Sequence, residues 1–147
     1  MKHTHKGSLM TDIILDTFKL NGLLVVEGDL LISDLGLTSA RWKVLGALSN
    51  GLEAMTVSDI ARMMGQSRQA VQRLSNEMLK DGLLEAQINP KHQRAKLMKL
   101  TEKGIQAYEQ AMQKQVPWVN RIASDFEEKD LKLASSILEK LVRQLDS

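Results

Sequence analysis

Between Thr56 and Gly82 the chain packs two helical segments so close together that few arrangements remain open to it. Thr56, with Asp59 in capping-box position three residues on, opens a short run that carries Val57, Ile60, Ala61, Met63 and Met64. Gly65 ends it, since glycine is the residue that most readily closes a helix C-terminus. Only Gly65 and Gln66 then precede Ser67, the natural cap of a second segment, S-R-Q-A-V-Q-R-L-S-N-E-M-L-K, which stops at Asp81-Gly82. Two short helices joined by a tight glycine-containing turn form a helix-turn-helix unit. On the second helix Ala70, Val71, Leu74, Met78 and Leu79 recur at helical spacing, as on any core-packed helix. Between them stand Arg68, Gln69, Gln72, Arg73, Asn76 and Lys80, with Glu77 as the one acidic neighbour. That face is either an ordinary solvated surface, with Arg73 and Glu77 as an i,i+4 pair, or a surface shaped for a nucleic-acid groove.

The segments on either side sharpen the choice. After Gly82 the period changes. Leu83, Leu84, Ala86 and Ile88 form a brief extended run, Asn89-Pro90 signals a turn, and Ala95 to Leu100 alternate. The expected element is a two-stranded hairpin with the basic tip Lys91-His92-Gln93-Arg94. Helix, turn, helix and hairpin together make the winged helix-turn-helix order. Upstream, Thr11 caps an expected helix from about Asp12 to Glu27, the stretch from Gly28 to Gly36 is a connection, and Thr38 caps a helix ending near Asn50-Gly51. Downstream, Thr101 caps a long helix to about Val116, where Pro117 is expected to kink or break it. Ser124 with Glu127 then opens a terminal helix, whose Leu131, Ala134, Leu138, Leu141 and Leu145 form a narrow apolar seam suited to helix pairing.

Composition bounds the rest. A chain of 147 residues with 43% hydrophobic content can bury one core, which points to one domain. Aromatic residues are only 3%, so that core is aliphatic, with methionine as filler. The absence of cysteine excludes disulfides and thiolate metal sites. No apolar run reaches the roughly 20 residues of a membrane-spanning helix, and the polar start MKHTHKGS reads as a frayed terminus rather than a signal peptide, so a cytoplasmic protein is expected. The net charge of +2 hides an uneven distribution. Residues 62–100 carry eight Lys/Arg against three Asp/Glu, whereas the segments before and after are slightly acidic. A localised positive patch is the footprint of phosphate binding. No Ser/His/Asp arrangement, glycine-rich phosphate loop or metal-ligand spacing occurs, so neither an enzyme nor a cofactor or metal site is expected.

Taken together, L-G-L-T-S-A-R-W-K-V-L (35–45), T-V-S-D-I-A-R-M-M-G-Q-S-R-Q-A-V-Q-R-L (56–74), K-D-G-L-L (80–84) and N-P-K-H-Q-R-A-K-L-M-K-L-T-E-K-G (89–104) resemble the MarR family of bacterial transcription regulators. The similarity runs over residues 11 to 145 and rests on the order and spacing of the motifs rather than on any one of them. It implies a mainly α chain, a single MarR-like domain over 1–147. Within it a winged-helix DNA-binding lobe (38–100) lies between dimerisation helices (11–37 and 101–147). The resemblance also implies a homodimer bound to double-stranded DNA, often released by a small anionic or phenolic effector. The wing departs from the family pattern. His92 stands where an acidic residue usually orients the tip arginine, and Ala86 where an arginine is common.

The residue chemistry agrees with that resemblance. Side chains near the start of a recognition helix reach base edges, which nominates Ser67, Arg68, Gln69 and Gln72 for the major groove. Glutamine suits adenine and arginine suits guanine. Arg73 and Lys80, further along, suit phosphate contacts that position the helix on the duplex, and Asn76 completes the expected DNA-binding set on this helix. Arg94 is expected in a minor groove, with Lys91, His92 and Lys96 on phosphates; a loose basic loop is the alternative. Ile13, Leu20 and Leu24 near the N-terminus and Trp118, Ile122, Leu138, Leu141 and Leu145 near the C-terminus are the expected dimer interface. The alternative is that they complete one monomer's core. From another functional class comes a winged-helix protein-interaction module that binds no specific DNA.

Overall fold

The computed structural model describes residues 1–51 and 53–146. The first helix, α1, spans His5–Leu31 and is longer at both ends than the sequence suggests. Thr4 caps it, its Oγ1 accepting from Gly7 N at 2.9 Å. The expected cap Thr11 instead donates its hydroxyl back to Gly7 O at 2.9 Å, as a threonine inside a helix does. Gly28, expected in the connection, also lies within α1. A side chain there would come within 2.5 Å of Ser39 Oγ, so its absence lets the last turns of α1 approach the next helix. A short 3-10 turn at Ser33–Leu35 reverses the chain into α2, Ser39–Gly51. Two polar contacts tie α2 to α1. Asp29 Oδ1 accepts from Ser39 N at 2.6 Å, and Ser39 Oγ donates to Val25 O at 2.9 Å. Thr38 caps α2 as expected, accepting from Arg41 N.

The helix-turn-helix unit follows the sequence closely. A two-residue strand, β1 (Met55–Thr56), leads into α3 (Val57–Met64), and α4 spans Arg68–Lys80. Thr56 Oγ1 accepts from Asp59 N at 3.1 Å, and Ser67 Oγ accepts from Ala70 N at 3.2 Å. Both helices end in the same way. Gly65 (φ 67°) and Gly82 (φ 77°) adopt the left-handed conformation, and the next residue's N–H reaches back five residues, Gln66 to Ala61 O and Leu83 to Met78 O, each at 2.9 Å.

The wing is formed by β2 (Leu84–Gln87) and β3 (Leu97–Leu100). The expected two-stranded hairpin forms, and the sheet extends beyond it. β1 pairs with β3 as well, so the described sheet has three antiparallel strands in the order β1-β3-β2, with Met98 opposite both Met55 and Ala86. A two-residue strand has no period of its own, and its partner lies more than forty residues away. The core beneath is aliphatic: Val44 and Leu45 of α2, Ile60 of α3 and Val71 and Met78 of α4 are fully buried, joined by Leu84 and Met98 from the sheet.

Helix α5 spans Glu102–Ala123 and runs through Pro117. The expected break does not occur. Proline removes one helical hydrogen bond, which a 22-residue helix tolerates. Helix α6, Glu128–Leu145, follows Glu127, which makes no side-chain capping bond. The expected cap Ser124 instead donates to Arg121 O at 2.7 Å in the preceding turn. The chain divides into two compact units, Met1–Met112 and Gln113–Ser147. Among the described residues no helix is long and apolar enough to cross a membrane.

Candidate nucleic-acid interface

Helix α4 presents two chemically distinct sides. Val71, Ser75 and Met78 are buried against the core, and Leu74 and Leu79 pack at its margin. Ser67, Arg68, Gln69, Arg73, Asn76 and Lys80 are exposed, and Gln72 is half-buried. Ala70, grouped with the apolar stripe by spacing, is exposed among them. The polar side chains are partly organised already, since Gln72 Nε2 donates to Asn76 Oδ1 at 3.0 Å.

The i,i+4 pair between Arg73 and Glu77 is absent. Glu77 Oε2 lies 3.9 Å from Nη2 of Arg41, on the first turn of α2, and Asp81 Oδ2 lies 2.7 Å from Nη1 of the same guanidinium. Lys103 Nζ adds a bond to Asp81 O at 2.7 Å. The C-terminal end of α4 is thereby held from two sides, and both of its carboxylates face a cation. Arg73 keeps no acidic partner among the described residues. Sequence reasoning missed Arg41, because no local spacing relates it to residues nearly forty positions away.

In the wing, the turn at Asn89-Pro90 has a definite organiser. Asn89 is 9% exposed, its Oδ1 accepts from Lys91 N at 3.0 Å and its carbonyl accepts from His92 N at 3.2 Å. These bonds fix where the basic tip leaves the sheet. Lys91, His92, Arg94 and Lys96 are all exposed. A groove of about 240 Å³ runs between helix and wing, bringing Arg68, Gln72 and Asn76 of α4 together with Arg94 and Lys96. Thr56 and Ser58, at the start of α3, line the same groove and were not expected there. Three of its lining residues are cationic and none is acidic. Ser67, Gln69 and Arg73 lie on the outward side of α4 instead, along a second concavity that Arg68, Gln72, Asn76 and Glu77 also line. Lys80, Lys91 and His92 line neither.

The residues expected to join two copies are placed as follows. On α1, Leu20 is 52% and Leu24 47% exposed, while Ile13 is half-buried. In the second unit Ile122, Leu138 and Leu145 are exposed, and Trp118 and Leu141 are half-buried.

The model of the MarR family matches residues 35–95. An uncharacterised protein of Mycobacterium tuberculosis, Rv2011c, is 32% identical over 130 residues, which span 88% of this chain and 90% of that one. The transcriptional activatory protein BadR of Rhodopseudomonas palustris is 28% identical over 129 residues, 86% of this chain and 74% of that one. Among solved structures, a MarR/EmrR family transcriptional regulator from Acinetobacter superposes with a TM-score of 0.82 at 20% identity, covering 94% of this chain and 97% of that one. The MepR–DNA complex of S. aureus gives 0.76 at 18% identity, covering 88% and 93%. CouR of Rhodococcus jostii bound to p-coumaroyl-CoA gives 0.78 at 19% identity, covering 91% and 94%.

Proposed function

The chain belongs to the MarR family of transcription regulators, and on that premise we propose that it is a homodimeric repressor that reads a pseudo-palindromic operator in double-stranded DNA. The observation that carries this reading is the groove in which Arg68, Gln72 and Asn76 of α4 meet Arg94 and Lys96 of the wing with no acidic residue lining it. Helix α4 enters a major groove. Ser67, Arg68, Gln69 and Gln72 meet base edges there, with Asn76 beside Gln72, and Arg73 and Lys80 hold the helix in register. Arg94 enters the flanking minor groove, with Lys91, His92 and Lys96 on phosphates. MepR, solved on DNA, supports the use of this fold on a duplex.

The dimer rests on an independent argument. Helix α1 exposes Leu9, Leu15, Phe18, Leu20, Leu23, Leu24, Val26 and Leu30 among charged residues such as Asp12, Asp16, Lys19 and Glu27, and none of its residues is buried. Eight large apolar side chains exposed on one helix need cover. A second copy provides it, with residues 11–37 and 101–147 as the dimerisation segments around the 38–100 lobe. A small effector releases the DNA by favouring a dimer whose reading helices are wrongly spaced for half-sites about 34–36 Å apart. CouR, solved bound to p-coumaroyl-CoA, supports the binding of a small ligand within this fold.

Titration of duplex DNA at rising salt tests the reading. Arg73, Lys80, Lys91 and Lys96 give four cationic phosphate contacts per subunit. A dimer so bound loses affinity roughly ten-thousandfold between 50 and 200 mM salt. Salt-insensitive binding, or none, leaves a winged-helix protein-interaction module as the better account.

A further inference from the structure

Gln72 and Asn76 are the only side chains of the reading face that the described structure shows bonded to each other, Nε2 of Gln72 donating to Oδ1 of Asn76 at 3.0 Å. Both line the groove between helix and wing. A free glutamine amide rotates and can offer either its oxygen or its nitrogen to a base. Here one N–H is already committed, and the acceptor that takes it stands one helical turn away on the same face. What remains outward on Gln72 is its Oε1 acceptor and one N–H donor. That donor–acceptor pair complements adenine, which presents the N7 acceptor and the N6 donor in the major groove. It does not complement guanine, which presents two acceptors, N7 and O6.

We propose that Asn76 is the positioning residue that sets Gln72 to read adenine, so that this operator position is specified by an amide pair rather than by a single side chain. Asn76 acts through Gln72 here and not by holding the backbone of the duplex. The inference rests on the DNA-reading function proposed above and adds to it which residue decides one base. Asn76 is exposed, so replacing it leaves the core intact.

The experiment is selection of bound duplexes from a random DNA pool, using the full-length wild-type protein and Gln72→Ala, Asn76→Ala and Asn76→Asp variants. Binding titrations follow on the recovered motif with each base substituted in turn. The position at which Gln72→Ala loses its preference is the one Gln72 reads. Wild type prefers adenine there by roughly 5- to 150-fold, the span of one bidentate contact. Asn76→Ala loses that preference at that position while keeping the wild-type salt slope. Asn76→Asp can only accept a hydrogen bond, so it keeps Gln72 in the same orientation and retains the preference, although its added charge weakens binding to every sequence. The inference is overturned if Asn76→Ala keeps adenine at that position, if Asn76→Asp loses it, if Gln72→Ala alters no position, or if guanine is recovered there. A wild-type protein that selects no motif at all overturns the DNA-reading function itself, and the amide-pair inference falls with it.

Discussion

At the scale of single residues, helix α4 mixes groups whose local spacing looks alike but whose surroundings differ. Ser75 stands next to Asn76 and Glu77 in the sequence, yet it is fully buried and its Oγ has no hydrogen-bond partner. A buried hydroxyl without a partner costs about 1–3 kcal/mol. Ser75→Ala is therefore expected to stabilise the fold by about 1 kcal/mol, raising the melting temperature by roughly 2–4 °C. Calorimetry checks this, and a lower melting temperature means that the hydroxyl finds a partner in solution. On the outward face, Gln69 and Arg73 separate by chemistry. Gln69→Ala is expected to relax base preference and leave the salt slope unchanged, since it removes a proposed base contact and no charge. Arg73→Ala is expected to weaken binding to all sequences alike and to lower the slope by about one per subunit. If Gln69→Ala leaves the preference untouched and alters only the slope, the two roles are reversed.

At the scale of elements, the question is what holds the reading helix at its angle. The start of α4 is set by its own turn, but its end is set by α2 and by the first turn of α5. Arg41 reaches Glu77 and Asp81, and Lys103 reaches the carbonyl of Asp81. The Arg41 side chain is 21% exposed and its carboxylate partners about half exposed, so the pairs contribute only about 0.2–1 kcal/mol to stability. Their larger effect concerns DNA. Without Arg41, two carboxylates stand unneutralised beside the surface proposed to meet phosphates. Arg41→Ala is expected to change the melting temperature little and to weaken DNA binding about tenfold, the repulsion amounting to roughly 1–2 kcal/mol of screened Coulomb energy. Adding Asp81→Asn to that variant removes one of the two charges and is expected to recover part of the loss. DNA titration of the two proteins in parallel decides it; equal affinities for wild type and Arg41→Ala mean that the clamp plays no part in binding.

At the scale of the whole molecule, the exposed apolar surface of α1 outweighs anything its own unit buries of that helix. Leu20 and Leu24 are about half exposed and contribute little to the core of their own unit. Leu20→Asp with Leu24→Asp is expected to leave helical content intact in circular dichroism while converting a dimer to a monomer in sedimentation equilibrium. The same variant is expected to lose specific DNA affinity, because one short helix reads too few bases alone. A double variant that remains dimeric places the interface elsewhere, and Leu138→Asp with Leu145→Asp then tests the terminal helix.

The sequence by itself determined the elements whose signals are local. Ser67 and Thr56 as caps, Gly65 and Gly82 as stops, the polar face from Arg68 to Lys80 and the basic wing were all legible, because capping and left-handed glycine are decided within five residues. The structure departs from the sequence reading where a local signal has a competitor, whether in the preceding turn or on a distant element. Thr11 and Ser124 had the right chemistry to cap helices, but each donates to a preceding carbonyl within a continuing turn. Gly28 reads as a break but serves a close approach to Ser39. The third strand, the clamp at Arg41 and the joining of Gln72, Asn76, Arg94 and Lys96 in one groove came only from the tertiary structure. Each depends on residues roughly 18 to 43 positions apart meeting in space, and no period or spacing along the chain encodes that distance.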